Sequence, residues 1–188
     1  MTNEELFKKL RPIVMLATGV PECLLADQAG PGSMPAPQGA YATITPRQSI
    51  SERGQANVVS RNVPGEQVEV QVRAQIMCSC SVNFYRGEAV MFAELLKQAN
   101  KRPDISIMLF KSKIGWNSTD AVNNLTSLQS ANFEQRAQIT IRLMYETVSL
   151  PVINNILSAS VAVENEESQV LQTFSVEIDP TQPMERSL

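Results

Sequence analysis

Residues 68–85 read VEVQVRAQIMCSCSVNFY. The even positions are Val68, Val70, Val72, Ala74, Ile76, Cys78, Cys80, Val82 and Phe84, all small or apolar. The odd positions hold every charged group of the stretch, Glu69 and Arg73, together with Gln71, Gln75, Ser79, Ser81 and Asn83. Side chains alternate across a strand with a period of two, so this pattern predicts one long β-strand with a single buried face. At about 3.3 Å per residue it would span roughly 55 Å. A compact chain of this length has a radius of gyration of only about 16 Å. The strand therefore either bends at a bulge or sends one end beyond the core as an arm.

A second alternation, Gln135, Ala137, Ile139, Ile141, Leu143 and Tyr145 against Glu134, Arg136, Gln138, Thr140, Arg142 and Met144, predicts a partner strand paired antiparallel to the first. Strands are also expected at Tyr41–Thr45, ending at Pro46, at Ile105–Phe110, near Leu157–Val163 and near Val170–Ile178. Helical stripes are legible at Leu6, Leu10, Ile13 and Val14, where Thr2 and Glu5 have capping-box spacing, and at Ala89, Phe92, Leu96 and Ala99. Pro12 predicts a kink or break near residue 11. A short helix is expected over Ala121–Leu128 after a Gly115-Trp116-Asn117 turn, and one helical turn over Pro151–Ile156. Helices on one face of a mostly antiparallel sheet with long strands make an α+β domain. The expected organisation is a single domain over residues 1–178, with long loops at 19–39 and 46–66, and a mobile tail over 179–188.

The chain has 188 residues, 43% hydrophobic and 19% charged, which suffices for one buried core. It contains no histidine, so histidine bases, histidine metal sites and Ser-His-Asp arrangements are excluded. No glycine-rich phosphate loop or calcium-loop pattern is present. Cys23, Cys78 and Cys80 read as buried, reduced thiols, and no cofactor is expected. The amino-terminal segment is charged and amphipathic unlike a secretory signal, and no apolar run reaches the roughly 20 residues of a membrane helix.

A net charge of −3 argues against a dedicated nucleic-acid binder. Arg47, Arg53 and Arg61 nevertheless fall in the polar 46–66 segment. Lys97, Lys101, Arg102, Lys111 and Lys113 make a locally basic stretch, whereas residues 164–186 are acidic. Such polarity either solubilises a helix end or marks surfaces that meet in an oligomer or on DNA. We take Arg47, Arg53, Arg61, Lys111 and Lys113 as candidate interface or lumen residues.

Three ordered segments carry a resemblance: Gly39-Ala40-Tyr41-Ala42-Thr43-Ile44 after a proline-rich loop, Phe84-Tyr85-Arg86-Gly87-Glu88-Ala89 between strand and helix, and Phe133-Glu134-Gln135-Arg136-Ala137-Gln138 opening a later strand. In this order the chain resembles the phage neck and tail-terminator proteins over about residues 5–178. The resemblance implies a tail-terminator-like α+β fold, no catalysis and no cofactor. It also implies a homo-oligomeric ring, a hexamer, at the head-proximal end of a phage tail. Such a ring would terminate the tail tube, contact tube or sheath and neck or connector proteins, and let double-stranded DNA pass without specific binding. Its place would be the virion, assembled in the host cytoplasm. Two other readings stay open: another head-to-tail connector, such as a head-completion or collar protein, and a DNA-binding accessory protein.

Overall fold

The computed structural model describes residues 1–26, 36–62, 67–129, 132–154, 158–164 and 170–177. Its elements follow in chain order: α1 (Asn3–Thr18), β1 (Cys23–Leu25), β2 (Tyr41–Glu52), β3 (Asn57–Asn62), β4 (Gln67–Tyr85), α2 (Ala89–Ala99), α3 (Pro103–Ser112), β5 (Gly115–Thr119), β6 (Asn123–Asn124), β7 (Ser127–Gln129), β8 (Asn132–Glu134), β9 (Arg136–Ser149), β10 (Val152–Asn154), β11 (Ser158–Glu164) and β12 (Val170–Glu177). This is an α+β fold with a mostly antiparallel sheet. Its described residues gather into two compact units, one of residues 1–55 and 75–147, the other of residues 56–74 and 148–188.

The 68–85 alternation forms β4 as a single 19-residue strand. It takes no bulge. Residues from Gln75 onward belong to the first unit and those up to Ala74 to the second. In the first unit the sheet order is β1-β2-β4-β9-β5. Side chains and backbone link Arg86 to Gln135 and Ser81 to Gln138, so β4 and β9 run in opposite directions, as their matched polar faces predict. One face of this sheet carries Ala42, Ile44, Cys78, Cys80, Val82, Phe84, Ala137, Ile139, Ile141 and Leu143, all buried. Helices cover it: α1 lies on β1 and β2, and Phe92 of α2 meets Phe84 at 6.0 Å between ring centroids. From α1 come Leu6, Leu10, Ile13, Val14 and Ala17, a stripe at three- and four-residue spacing that places one helical face in the core.

The expected capping box is present: Thr2 Oγ1 accepts from the Glu5 amide at 3.1 Å, and Glu5 Oε2 accepts from the Thr2 amide at 2.7 Å. Two orphan amides of the first turn are thereby satisfied. Glu5 is held below its ordinary pKa chiefly by its hydrogen bond to the Thr2 backbone. Gly19 ends the helix at φ 74°, a conformation that costs glycine nothing. Pro12 does not break α1, which continues to Thr18. The proline sits on the exposed side, and the buried stripe on either side of it outweighs one missing hydrogen bond.

Several expectations are corrected. Pro46 does not end β2, which runs on to Glu52. The ladder to β4 shifts register between Thr45 and Ser49, and a proline at such an irregularity owes no amide to the sheet. The described part of the 46–66 segment, residues 46–62, is therefore not one loop: after a short connection with Gly54 at φ 76°, β3 pairs antiparallel with the amino-terminal part of β4. Within 19–39, Cys23–Leu25 pairs parallel with β2. Ile105–Phe110 is helical, as part of α3. Pro103 supplies a preset first-turn φ, Ile105 and Leu109 are buried four apart, and Lys113 closes the helix at φ 56°.

Gly115–Asn117 is not a turn but the start of β5, paired with β9. Ala121–Leu128 is not helical, because Asn124 Oδ1 accepts from the Thr126 amide and hydroxyl and Asn123–Asn124 pairs with β9. Around Pro151, Val152–Asn154 is a strand paired with β4, and the Pro151 carbonyl accepts from the Val70 amide. On β4 itself, Val70, Val72 and Ala74 are only half-buried, short of the continuous buried face expected. The expected tail at 179–188 lies outside the described residues, as do 27–35 and 63–66.

Candidate assembly surfaces

The three segments that carried the resemblance converge on the polar face of the first unit's sheet. Tyr41 of β2 and Tyr85 of β4 are register partners, and their rings stack at 4.7 Å with 8° between planes. Arg86 stands over Tyr41 at 5.9 Å and Arg136 over Tyr85 at 5.1 Å. Arg86 holds Glu134 at 3.2 Å through Nε, donates to the Pro37 carbonyl through Nη1, and sends its backbone amide to Gln135. Its φ of 61° lets one residue leave the strand and turn into this grip.

Beneath the rings two buried polar side chains are satisfied: Asn83 accepts from Arg136 at 3.2 Å and Ser81 from Gln138 at 2.9 Å. The buried Nε of Arg136 has no acceptor among the described residues, and the face of Tyr85 is its guanidinium's other partner. Burial is the main cause that raises the Tyr41 pKa, with Tyr85 next. Gly87 has room for no side chain without pressing Ala40, since a Cβ there would come within 3.2 Å of the Ala40 methyl. This cluster is a clamp between chain segments far apart in sequence.

The candidate residues from the sequence do not form one site. Arg47 is spent inside the fold: Nε donates to Asn3 Oδ1 at 2.5 Å and Nη1 to the Met1 carbonyl at 2.8 Å, tying β2 to the start of α1. Arg53 is exposed and reaches the Met144 sulfur at 3.0 Å. Arg61 pairs through its backbone opposite Glu69, in the second unit, and its side chain lies outside the described residues. Only Lys111 and Lys113 stand together, exposed at the exit of α3, where Lys9 also donates to the Ser112 carbonyl at 3.0 Å.

Surface features that the sequence did not disclose are apolar. Ile107 and Phe110 of α3 are exposed one turn apart, Leu128 and Phe133 are exposed register partners on β7 and β8, and Val161 and Phe174 are exposed register partners on β11 and β12. A groove of about 830 Å³ along α1 has an apolar floor of Phe7, Met15, Leu24 and Leu25 and a charged rim of Lys8, Arg11 and Glu22. Among the described residues no group of cysteines and carboxylates could hold a metal ion, and no helix is long and apolar enough to cross a membrane. All three cysteines are free and buried. Burial pushes the Cys23 thiol up to about 12 and Cys78 to about 11, and raises Cys80 well above its ordinary value.

The chain is thus an α+β protein of long strands, clamped on one sheet face and with apolar pairs exposed on its surface. The chain matches the family described as phage neck terminator protein over residues 4–168, and it belongs to that family. It is thus a neck component of a phage particle, which agrees with the resemblance of its three motifs. No curated protein matches it.

Proposed function

We propose that the chain is the subunit of a closed ring, six copies around, at the head-proximal end of a phage tail. The ring terminates tube growth and joins the tail to the neck, contacting tube or sheath on one side and connector proteins on the other. The supporting observation is the set of apolar side chains left exposed on strands of the second unit, Val58, Val152, Ile153, Val161 and Phe174. A soluble monomer gains nothing from such surface, whereas a subunit buries it against neighbours. DNA passes through the lumen without specific binding: the net charge of −3 supports this, and the Arg47 guanidinium is already occupied by Asn3 and Met1. Assembly takes place in the host cytoplasm.

Electron microscopy and analytical ultracentrifugation of the purified chain, alone and with tail tubes, test the reading. Closed sixfold rings capping tubes are expected. A persistent monomer in both settings overturns it, and a twelvefold ring transfers the subunit to the head side as a connector.

A further inference from the structure

The β11–β12 ribbon is a sheet of two strands whose register sorts its residues by polarity. Ala159, Val161 and Val163 share one face with Phe174 and Gln172, while Ser158, Ser160 and Ala162 share the other with Thr173 and Ser175. On the apolar face Val161 is 61% and Phe174 52% exposed. Two-stranded ribbons are marginal in water on their own. The apolar face of this ribbon is thus more than half exposed at Val161 and Phe174.

The first unit offers two exposed apolar pairs that such a face could meet on another copy. On α3 Phe110 is 85% exposed beside Ile107; on β7–β8 Phe133 is 77% exposed beside Leu128. Charge separates them. Residues 158–177 contain four glutamates, Glu164, Glu166, Glu167 and Glu177, and no lysine or arginine. Residues 125–135 around β7–β8 contain no basic residue either, and their one carboxylate, Glu134, is bound to Arg86. At α3, Lys111 and Lys113 flank Phe110, residues 105–113 hold no acid, and the nearby Asp104 is paired with Arg102 at 2.6 Å. An acidic ribbon is attracted to the second setting and not to the first.

We propose that the apolar face of β11–β12 on one copy docks on Ile107 and Phe110 of the next copy, with Lys111 and Lys113 answering the ribbon's acidic charge. The inference rests on the ring reading and names the surfaces that close it. The occupant is a second copy because one chain carries both halves in complementary charge. Since the two halves differ, the contact is heterologous: each subunit gives its ribbon to one neighbour and its helix to the other, and a ring closes by rotation.

The test uses a ribbon variant, Val161→Glu with Phe174→Glu, and a helix variant, Phe110→Glu, in the full-length chain. Phe110 is exposed, so its variant keeps the wild-type circular dichroism and melting profile. Ultracentrifugation should show rings for wild type and monomers for each variant alone. A one-to-one mixture of the variants should give heterodimers, because each retains the half the other has lost. Lys111→Glu with Lys113→Glu should raise the concentration needed for assembly at least tenfold at low salt and less at high salt. Rings from the Phe110→Glu variant, or no heterodimer from the mixture, overturn this pairing and leave the ring reading standing. A wild type that never assembles overturns the ring reading itself.

Discussion

The two ends of β4 are written in the same alternation but have different surroundings. From Ile76 to Phe84 every even position is buried, and Ser81 and Asn83 are buried on the opposite face as well. From Val70 to Ala74 the even positions are only half-buried. The cause is what lies over each end. Helices α1 and α2 and the clamp of Tyr41, Tyr85, Arg86 and Arg136 belong to the first end. Among the described residues, β3 and β10 run beside the second and extend the ladder sideways. Alternation states which face of a strand is apolar. Whether that face is covered by the same chain is decided elsewhere.

The sharpest way to break the comparison is a matched pair of truncations. Phe84→Ala should cost about 3–5 kcal/mol by leaving a cavity under α2. Val72→Ala, in the half-buried run, should cost less than about 1.5 kcal/mol. Urea denaturation followed by circular dichroism reads both, and equal losses would mean that both ends are equally packed.

A smaller effect probes the polar face. Arg136→Ala strips Asn83 of its donor and Tyr85 of its cation, and should cost about 1–3 kcal/mol, since a buried polar group is left unpaired. Arg53→Ala, at an exposed site, should stay within about 0.5 kcal/mol. Thermal melts of the two variants side by side would show whether the clamp stabilises the fold or only decorates it.

The smallest effect is chemical. A thiol whose folded pKa is raised keeps its proton in the native state. The stability this gives is fully present below the unfolded value near 9.0 and is lost as pH rises through 11 to 12. Native protein at pH 8 should therefore react negligibly with a thiol-specific reagent, then react fully once unfolded in urea. Stability should fall only above about pH 9. A fast-reacting native thiol would show that β1, which carries Cys23, or the buried end of β4, which carries Cys78 and Cys80, opens.

Much of the fold is legible in the sequence where one physical signal dominates. The capping box of α1, the stripe of α2 and the period of two in β4 and β9 each emerge from the residues alone. The failures have a common form. Ile105–Phe110 has strand composition, yet Pro103 at the first turn and the burial of Ile105 and Leu109 four apart make it a helix. Ala121–Leu128 has apolar residues at helical spacing, but the Asn124 side chain captures Thr126 first. Pro46 looks terminal until the register shift beside it removes the need for its amide.

The exposed apolar surfaces are less legible still, because Phe110 and Phe174 read as core residues in any linear scan and only the folded chain shows them exposed. Among the basic candidates, sequence could not tell Arg47, consumed in tying α1 to β2, from Lys111 and Lys113, which are exposed at the surface. The three motif segments, by contrast, stand out in the sequence, and in the structure they hold one another.

The uninterrupted length of β4 has a mechanical consequence. A pull directed along a strand that is laddered on both sides loads its hydrogen bonds in shear, all at once, whereas a pull across a hairpin end unzips them one by one. Resistance to force is set by the unfolding barrier, not by equilibrium stability. A continuous 19-residue strand meets such a pull as one unit.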